Sequence, residues 1–316
     1  MTPNAQSEVV RDLFLHWVRH SLGRDFRIRE DGVSDGEYAL DVHVRPLVQA
    51  VDPRWEKSRR LLEELIGDDV PARVALWIPA GASIPAEEPE VSEFADLVRK
   101  AAIRLGPGER SHVELPIALK LRKSAETGGV MSVTGGLNPH WARFTDRVRG
   151  TFDLDSTALN RLPESEEFLE TLLDTIVERA SALDVGAIVL IETTDNWTIQ
   201  RLDGDPGFHI LGLPVDAAID LGMTVRRNFR RILVDEGAHA RASSANLKAL
   251  VVVGQYSRIE FEGATTAMRG YDPASYSGID FVCLGADGII KPLVQPPANA
   301  LPWTAVTQTH GGQALA

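Results

Sequence analysis

Cysteine is almost missing: Cys283 stands alone in a chain of 316 residues. No internal disulfide can form, and no closed thiolate zinc site can be drawn from this chain. That shortage favours a reducing compartment. Inside the apolar run 279–284, Cys283 is expected to be a small buried hydrophobe rather than a nucleophile. Long apolar runs are missing as well. No stretch approaches the roughly 18 residues that span a bilayer, and Met1–Ser7 lacks the charged-then-apolar layout of a signal peptide. The expected location is the cytoplasm, with no membrane partner.

Positive charge is in deficit, with 33 Lys and Arg against 45 Asp and Glu and a formal net charge of −12. Such a field repels nucleic acid and anionic surfaces at long range, so phosphate contact needs a local basic patch. Signature motifs are absent too. There is no phosphate-cradling Gly-rich loop ending in Lys and Ser or Thr, no paired-histidine zinc helix, no nucleophile elbow and no dinucleotide fingerprint.

What remains is ordinary folded composition, 44% hydrophobic and 25% charged, in a chain long enough for two domains. Apolar residues at helical spacing predict helices near residues 7–23, 53–67, 89–106, 164–181 and 216–241, with a further short one from Pro139 to Gly150. The clearest is the fourth, whose stripe is Phe168, Leu169, Leu172, Leu173, Ile176 and Val177. Period-two or continuous apolar runs predict strands at 26–30, 38–45, 73–79, 112–123, 129–134, 187–192, 197–202, 208–213, 249–254, 279–284 and 288–294. The fold class is therefore mixed α/β, with an α+β arrangement left open. We expect two lobes: an N-terminal α/β lobe over 1–130, a connector over 131–163, a lobe of αβββαβ order over 164–294, and an irregular tail over 295–316. Trp17, Leu172, Ile176 and Val252 are expected in the core.

The αβββαβ run from Glu164 to Gly254 resembles the restriction-endonuclease-like core in order of elements, though not in motif. In that family an acidic residue and an acidic-x-Lys pair hold a divalent metal beside the scissile phosphate. The resemblance implies a metal-dependent, nuclease-like hydrolase, the one reading that calls for a divalent cofactor. Its acids here are Glu192, Asp195, Asp203 and Asp205, with Glu192 and Asp203 the catalytic candidates. The third strand, Phe208-His209-Ile210-Leu211, carries neither the carboxylate nor the lysine.

Five other groups bear on chemistry. Glu30, Asp31, Asp35, Glu37 and Asp41 form an acidic cluster able to face a divalent cation, without the spacing of a calcium loop. Asp41, His43 and Arg45 alternate along one strand face, either as a solvated network or as an acid–base site. Arg226, Arg227, Arg230 and Arg231 recur at i, i+1, i+4 and i+5 opposite Val225, Phe229, Ile232 and Leu233, and so build one basic helix face. That face suits a phosphate-bearing ligand or partner, unless surface acids neutralise it. Lys120, Arg122 and Lys123 make a shorter patch. Gly135-Gly136 before His140 and Trp141 either exposes amides to an anion or turns Trp141 into the core. The leading expectation is a non-catalytic binding or regulatory protein, and the alternative is the hydrolase.

Overall fold

A computed structural model describes residues 5–22, 40–47, 53–67, 69–79, 82, 84–163, 165–212, 221–254, 257–297 and 301. The strand expected at 26–30, the turn after it, the acids Glu30, Asp31, Asp35 and Glu37, and most of the tail lie outside the described residues. In chain order come α1 (Ala5–Leu22), β1 (Leu40–Pro46), α2 (Pro53–Gly67), β2 (Arg73–Trp77), α3 (Glu90–Arg104), β3 (Arg110–Ala125), β4 (Gly129–Gly135) and β5 (Gly150–Ser156). They are followed by α4 (Glu166–Ser181), β6 (Ile188–Leu202), β7 (Gly207–Leu211), α5 (Leu221–Ala242), β8 (Leu247–Val253), α6 (Ser257–Met268), β9 (Phe281–Ala286) and β10 (Ile289–Val294). The fold is mixed α/β, and the described residues form one four-stranded and one six-stranded sheet.

The described residues fall into two compact units, one formed by Met1–Gln49 with Leu221–Ala316, the other by Ala50–Asp220. In the first, the strand order is β1-β8-β9-β10. The pairings β1–β8 and β8–β9 are parallel, and β10 returns antiparallel on β9. Asp287 and Gly288 both take positive φ, 52° and 73°, the demand of a two-residue type I′ hairpin between β9 and β10. β8 is buried on both faces, as a parallel strand covered on both sides should be. α1 covers one face with Val9, Val10, Leu13 and Phe14, the Phe14 ring edge-on to Phe281 at 6.1 Å. α5 covers the other. Val252 is fully buried, whereas Trp17, expected in the core, is only half-buried at its margin against Phe14 and Phe281. Cys283 is buried, and desolvation pushes its thiol up to about 12, an inert group as expected.

In the second unit the order is β4-β5-β3-β6-β2-β7. Its spine is the antiparallel pair of β3 and β6, 16 and 15 residues long, in register from Arg110↔Gln200 to Arg122↔Ile188. Leu169, Leu172, Leu173 and Ile176 of α4 and Phe94 and Val98 of α3 join the core over this pair.

Four sequence expectations change here. The strands expected at 187–192 and 197–202 are one strand, β6, because Thr193–Asn196 pairs with Glu114–Ile117 instead of turning. The segment expected as a connector supplies β4 and β5, and β5 lies between β4 and β3, so β3 and β4 are not neighbours. The αβββαβ interval therefore draws its strands from both sheets: β6 and β7 from the six-stranded one, β8 from the four-stranded one. Gly135-Gly136 serves neither suggested purpose. A Cβ at Gly136 would lie 2.2 Å from the Leu159 carbonyl oxygen, so the pair permits a close backbone approach, while Trp141 is 55% exposed.

Gly237 interrupts the α5 pattern for a similar reason: a Cβ there would lie 2.2 Å from the Ser275 carbonyl oxygen. Gly237→Ala should therefore destabilise by about 1–3 kcal/mol, against the roughly 1 kcal/mol that helix propensity alone would add. A raised melting temperature in this variant would contradict the contact.

Candidate functional site

α5 exists because Val225, Phe229, Ile232 and Leu233 give it one buried stripe; Val225 and Phe229 are fully buried. The opposite side exposes Arg226, Arg227, Arg230 and Arg231. At 1.5 Å rise per residue, these four guanidinium stems share roughly 7.5 Å of helix axis. Arg230 is held: its Nε donates to the Ala267 carbonyl at 2.9 Å, and its guanidinium carbon lies 5.2 Å from the Tyr271 ring centroid. The side chains of Arg226, Arg227 and Arg231 make no ion pair or hydrogen bond among the described residues. Some other arginines find acids: Arg59 meets Glu56 and Glu63, Arg99 meets Asp69 and Asp96, and Arg147 meets Asp174. Arg104, Arg149, Arg179, Arg241 and Arg269 are also exposed without an ion pair among the described residues, so what distinguishes α5 is the clustering of its arginines on one helix face. Two of the three residues of the shorter basic patch are paired, Arg122 to Asp153 at 2.9 Å and Lys123 to Glu126 at 3.0 Å, while Lys120 makes no ion pair among the described residues.

The alternation along β1 does bring Asp41, His43 and Arg45 to one face, and α5 adds a residue the sequence reading missed, Glu236. His43 Nδ1 lies 2.6 Å from Glu236 Oε2, and its Nε2 lies 3.2 Å from Asp41 Oδ1. Arg45 Nε donates to the other oxygen of Glu236, and Ser243 Oγ donates to Asp41 Oδ2 at 2.7 Å. The Glu236 side chain is 3% exposed. Burial alone pushes its carboxyl up, but the hydrogen bonds and charges of His43 and Arg45 outweigh this and hold it below the ordinary value. The Glu236 hydrogen bond, reinforced by Asp41 and opposed by burial, lifts His43 above its ordinary value. With Nδ1 facing Glu236 and Nε2 facing Asp41, His43 ties β1 to α5, and the upward shift favours its charged form.

The other two catalytic candidates lie in the six-stranded unit. Glu192 is exposed on β6; Asp203 is exposed in the turn after that strand. At about 3.3 Å per strand residue they are on the order of 35 Å apart, too far to share an ion. Among the described residues, no three His, Cys, Asp or Glu side chains converge so as to hold a metal.

Glu192 instead lines a groove of about 840 Å³ with His112, Glu114, Arg161, Phe168 and Asp195. Asp195 is 2% exposed, in the inward row Ile191, Thr193, Asp195, Trp197 and Ile199. An acid in a mostly apolar inward row was the signal available in the sequence. Its Oδ1 accepts from the Arg161 backbone N–H at 3.1 Å, while Oδ2 has no hydrogen-bond partner among the described residues. Desolvation outweighs the backbone hydrogen bonds and raises this carboxyl to about 7.

Compared with models of known families, with curated proteins and with solved structures, the chain gives no significant match. Its chemistry must therefore be read from its own side chains.

Proposed function

We propose that this is a non-catalytic binding or regulatory protein whose α5 helix presents Arg226, Arg227, Arg230 and Arg231 to a compact phosphate-bearing ligand. One observation carries the reading: in a chain of net charge −12, three of these arginines stand exposed with no acid partner among the described residues. Their planar donor forks match phosphate oxygens, and a patch of roughly 7.5 Å spans two or three linked phosphates. The overall acidity favours a small anion over a long polyanion, whose distal charges the rest of the surface repels. The reading places the protein in the cytoplasm, in keeping with one buried, unreactive thiol. No described helix is long and apolar enough to cross a membrane.

The catalytic alternative needs converging carboxylates, and Glu192 and Asp203 lack that geometry. Titration with tripolyphosphate, followed through arginine Nε–Hε NMR resonances, should shift those of Arg226, Arg227 and Arg231. Paired arginines such as Arg59 and Arg147 should stay still. Shifts confined to other arginines would refute the assignment.

A further inference from the structure

The basic face of α5 leaves unexplained the groove in the six-stranded unit, whose wall is chemically opposite. β2 ends its pairing with β6 at Trp77↔Thr198, so residues 193–196 of β6 pair with β3 on one side only, and the groove opens along their other side. Three carboxylates, Glu114, Glu192 and Asp195, face it with one guanidinium, Arg161, and one imidazole, His112. Arg161 is engaged within the wall, its Nη2 lying 3.4 Å from Thr198 Oγ1. Glu114, an exposed residue, accepts from Thr194 Oγ1 at 2.6 Å. The far wall, on α4, is mixed, with Thr171 and Thr175 beside Leu172 and Phe168. Leu172 is buried in it, and the Phe168 ring, in the first turn of α4, is 71% exposed.

A buried carboxylate oxygen without a donor is costly unless something supplies the hydrogen bond. Protonation is one remedy; a ligand N–H is the other. A carboxylate or phosphate ligand at Asp195 would meet that carboxylate at close range and Glu114 and Glu192 from the alternate face of the strand edge. A neutral polar ligand could reach Asp195 but would leave the excess charge uncompensated. A protonated amine supplies both a donor and the opposite charge, and an apolar body attached to it would cover Phe168. The volume of about 840 Å³ lies in the range of small-molecule sites, roughly 300–1,000 Å³.

We propose that this groove is a second binding site, for an organic cation that places a protonated amine on Asp195 Oδ2 and an apolar body against Phe168. The site takes the charged form of Asp195, so binding expels the proton that the empty site carries below neutrality. Affinity then follows the ionised fraction of a carboxyl titrating at about 7 and should be roughly tenfold tighter at pH 8 than at pH 6. The other titratable groups facing the groove are Glu114, Glu192 and His112. Only His112 could imitate this profile, by charging at low pH and repelling the amine.

The test is calorimetry on the full chain with phenethylamine, its neutral analogue 2-phenylethanol and the anion 3-phenylpropionate. Phenethylamine alone should bind, with the tenfold pH effect. Asp195→Asn keeps an Oδ1 acceptor for the Arg161 amide; it should lower affinity at pH 8 by at least about tenfold and abolish the pH dependence. Phe168→Ala, at an exposed position, should weaken binding several-fold at both pH values without altering its slope. The proposal is overturned if the alcohol or the acid binds as well as the amine, if no probe binds at millimolar concentration, or if the pH effect survives in Asp195→Asn and so belongs to His112. Tripolyphosphate binding, which concerns the other unit, should be the same in both variants, so the two proposals fail separately.

Discussion

Trp197→Ala should destabilise the six-stranded unit by about 3–5 kcal/mol and lower its melting temperature by on the order of 10 °C. Trp197 has no exposed surface, is one of the largest fully buried side chains, and meets Phe94 of α3 edge-on with centroids 5.8 Å apart. It pairs with Val113 across the central antiparallel strands, so its removal opens a cavity between the sheet and α3 at the place where the sheet is least able to collapse. Trp197→Phe retains a ring and much of the volume, and should cost less than half as much. An alanine variant within 1 °C of the parent would mean that β6 is not the central strand described here.

Glu236 carries the second large effect. Its alanine variant should lose about 2–4 kcal/mol, since two cationic partners are left facing a desolvated gap. The value sits at the lower end for a broken buried pair because His43 and Arg45 are 35% and 44% exposed and can recover water. Glu236→Gln, which still accepts from Arg45, should lose less. The pH dependence follows from the two shifts. His43 is raised, so its contribution is complete below its unfolded value of 6.5 and is lost as pH rises through the folded value. Glu236 is lowered, so its contribution is complete above 4.5 and is lost as pH falls through its folded value. The His43–Glu236 pair is therefore strongest between about 4.5 and 6.5. Urea titrations across this range should show a decline above it in the parent that Glu236→Gln abolishes. An identical decline in the variant would assign it to other groups.

Much of the helical structure was legible because its signal is local. The stripe Leu169, Leu172, Leu173 and Ile176 repeats at 3.6 residues and is buried as that spacing predicts. Strands were harder. Thr193-Thr194-Asp195-Asn196 reads as turn chemistry, yet pairing with β3 holds it extended, a tertiary demand overriding local preference. In β5 the inward row Phe152, Leu154 and Ser156 alternates with Asp153 and Asp155, a period-two pattern read as a connector. The division into units had no local mark at all. β1 pairs with β8 across the whole intervening unit, and parallel pairing leaves no turn in the sequence to announce it. The same limit governed the sites. Helical spacing alone placed the four arginines on one face, and period two aligned Asp41 with His43. Glu236, 193 residues from His43, could be found only once α5 was seen lying over β1.

The α5 assignment is tested most directly by the affinity of the full chain for tripolyphosphate as salt is raised, in the parent and in a variant with Arg226, Arg227 and Arg231 all replaced by Gln. Arg230 stays, since its bond to the Ala267 carbonyl would confound the result. At low salt the variant should bind roughly 100-fold more weakly, about 1 kcal/mol for each exposed arginine. The parent should lose affinity steeply as ionic strength approaches 0.15 M, where screening acts over about 8 Å, and the variant should show a much shallower slope. Its fold should persist, because Val225, Phe229, Ile232 and Leu233 remain buried on the opposite side. Equal affinities and parallel salt slopes in a folded variant would contradict the account and remove α5 from phosphate binding.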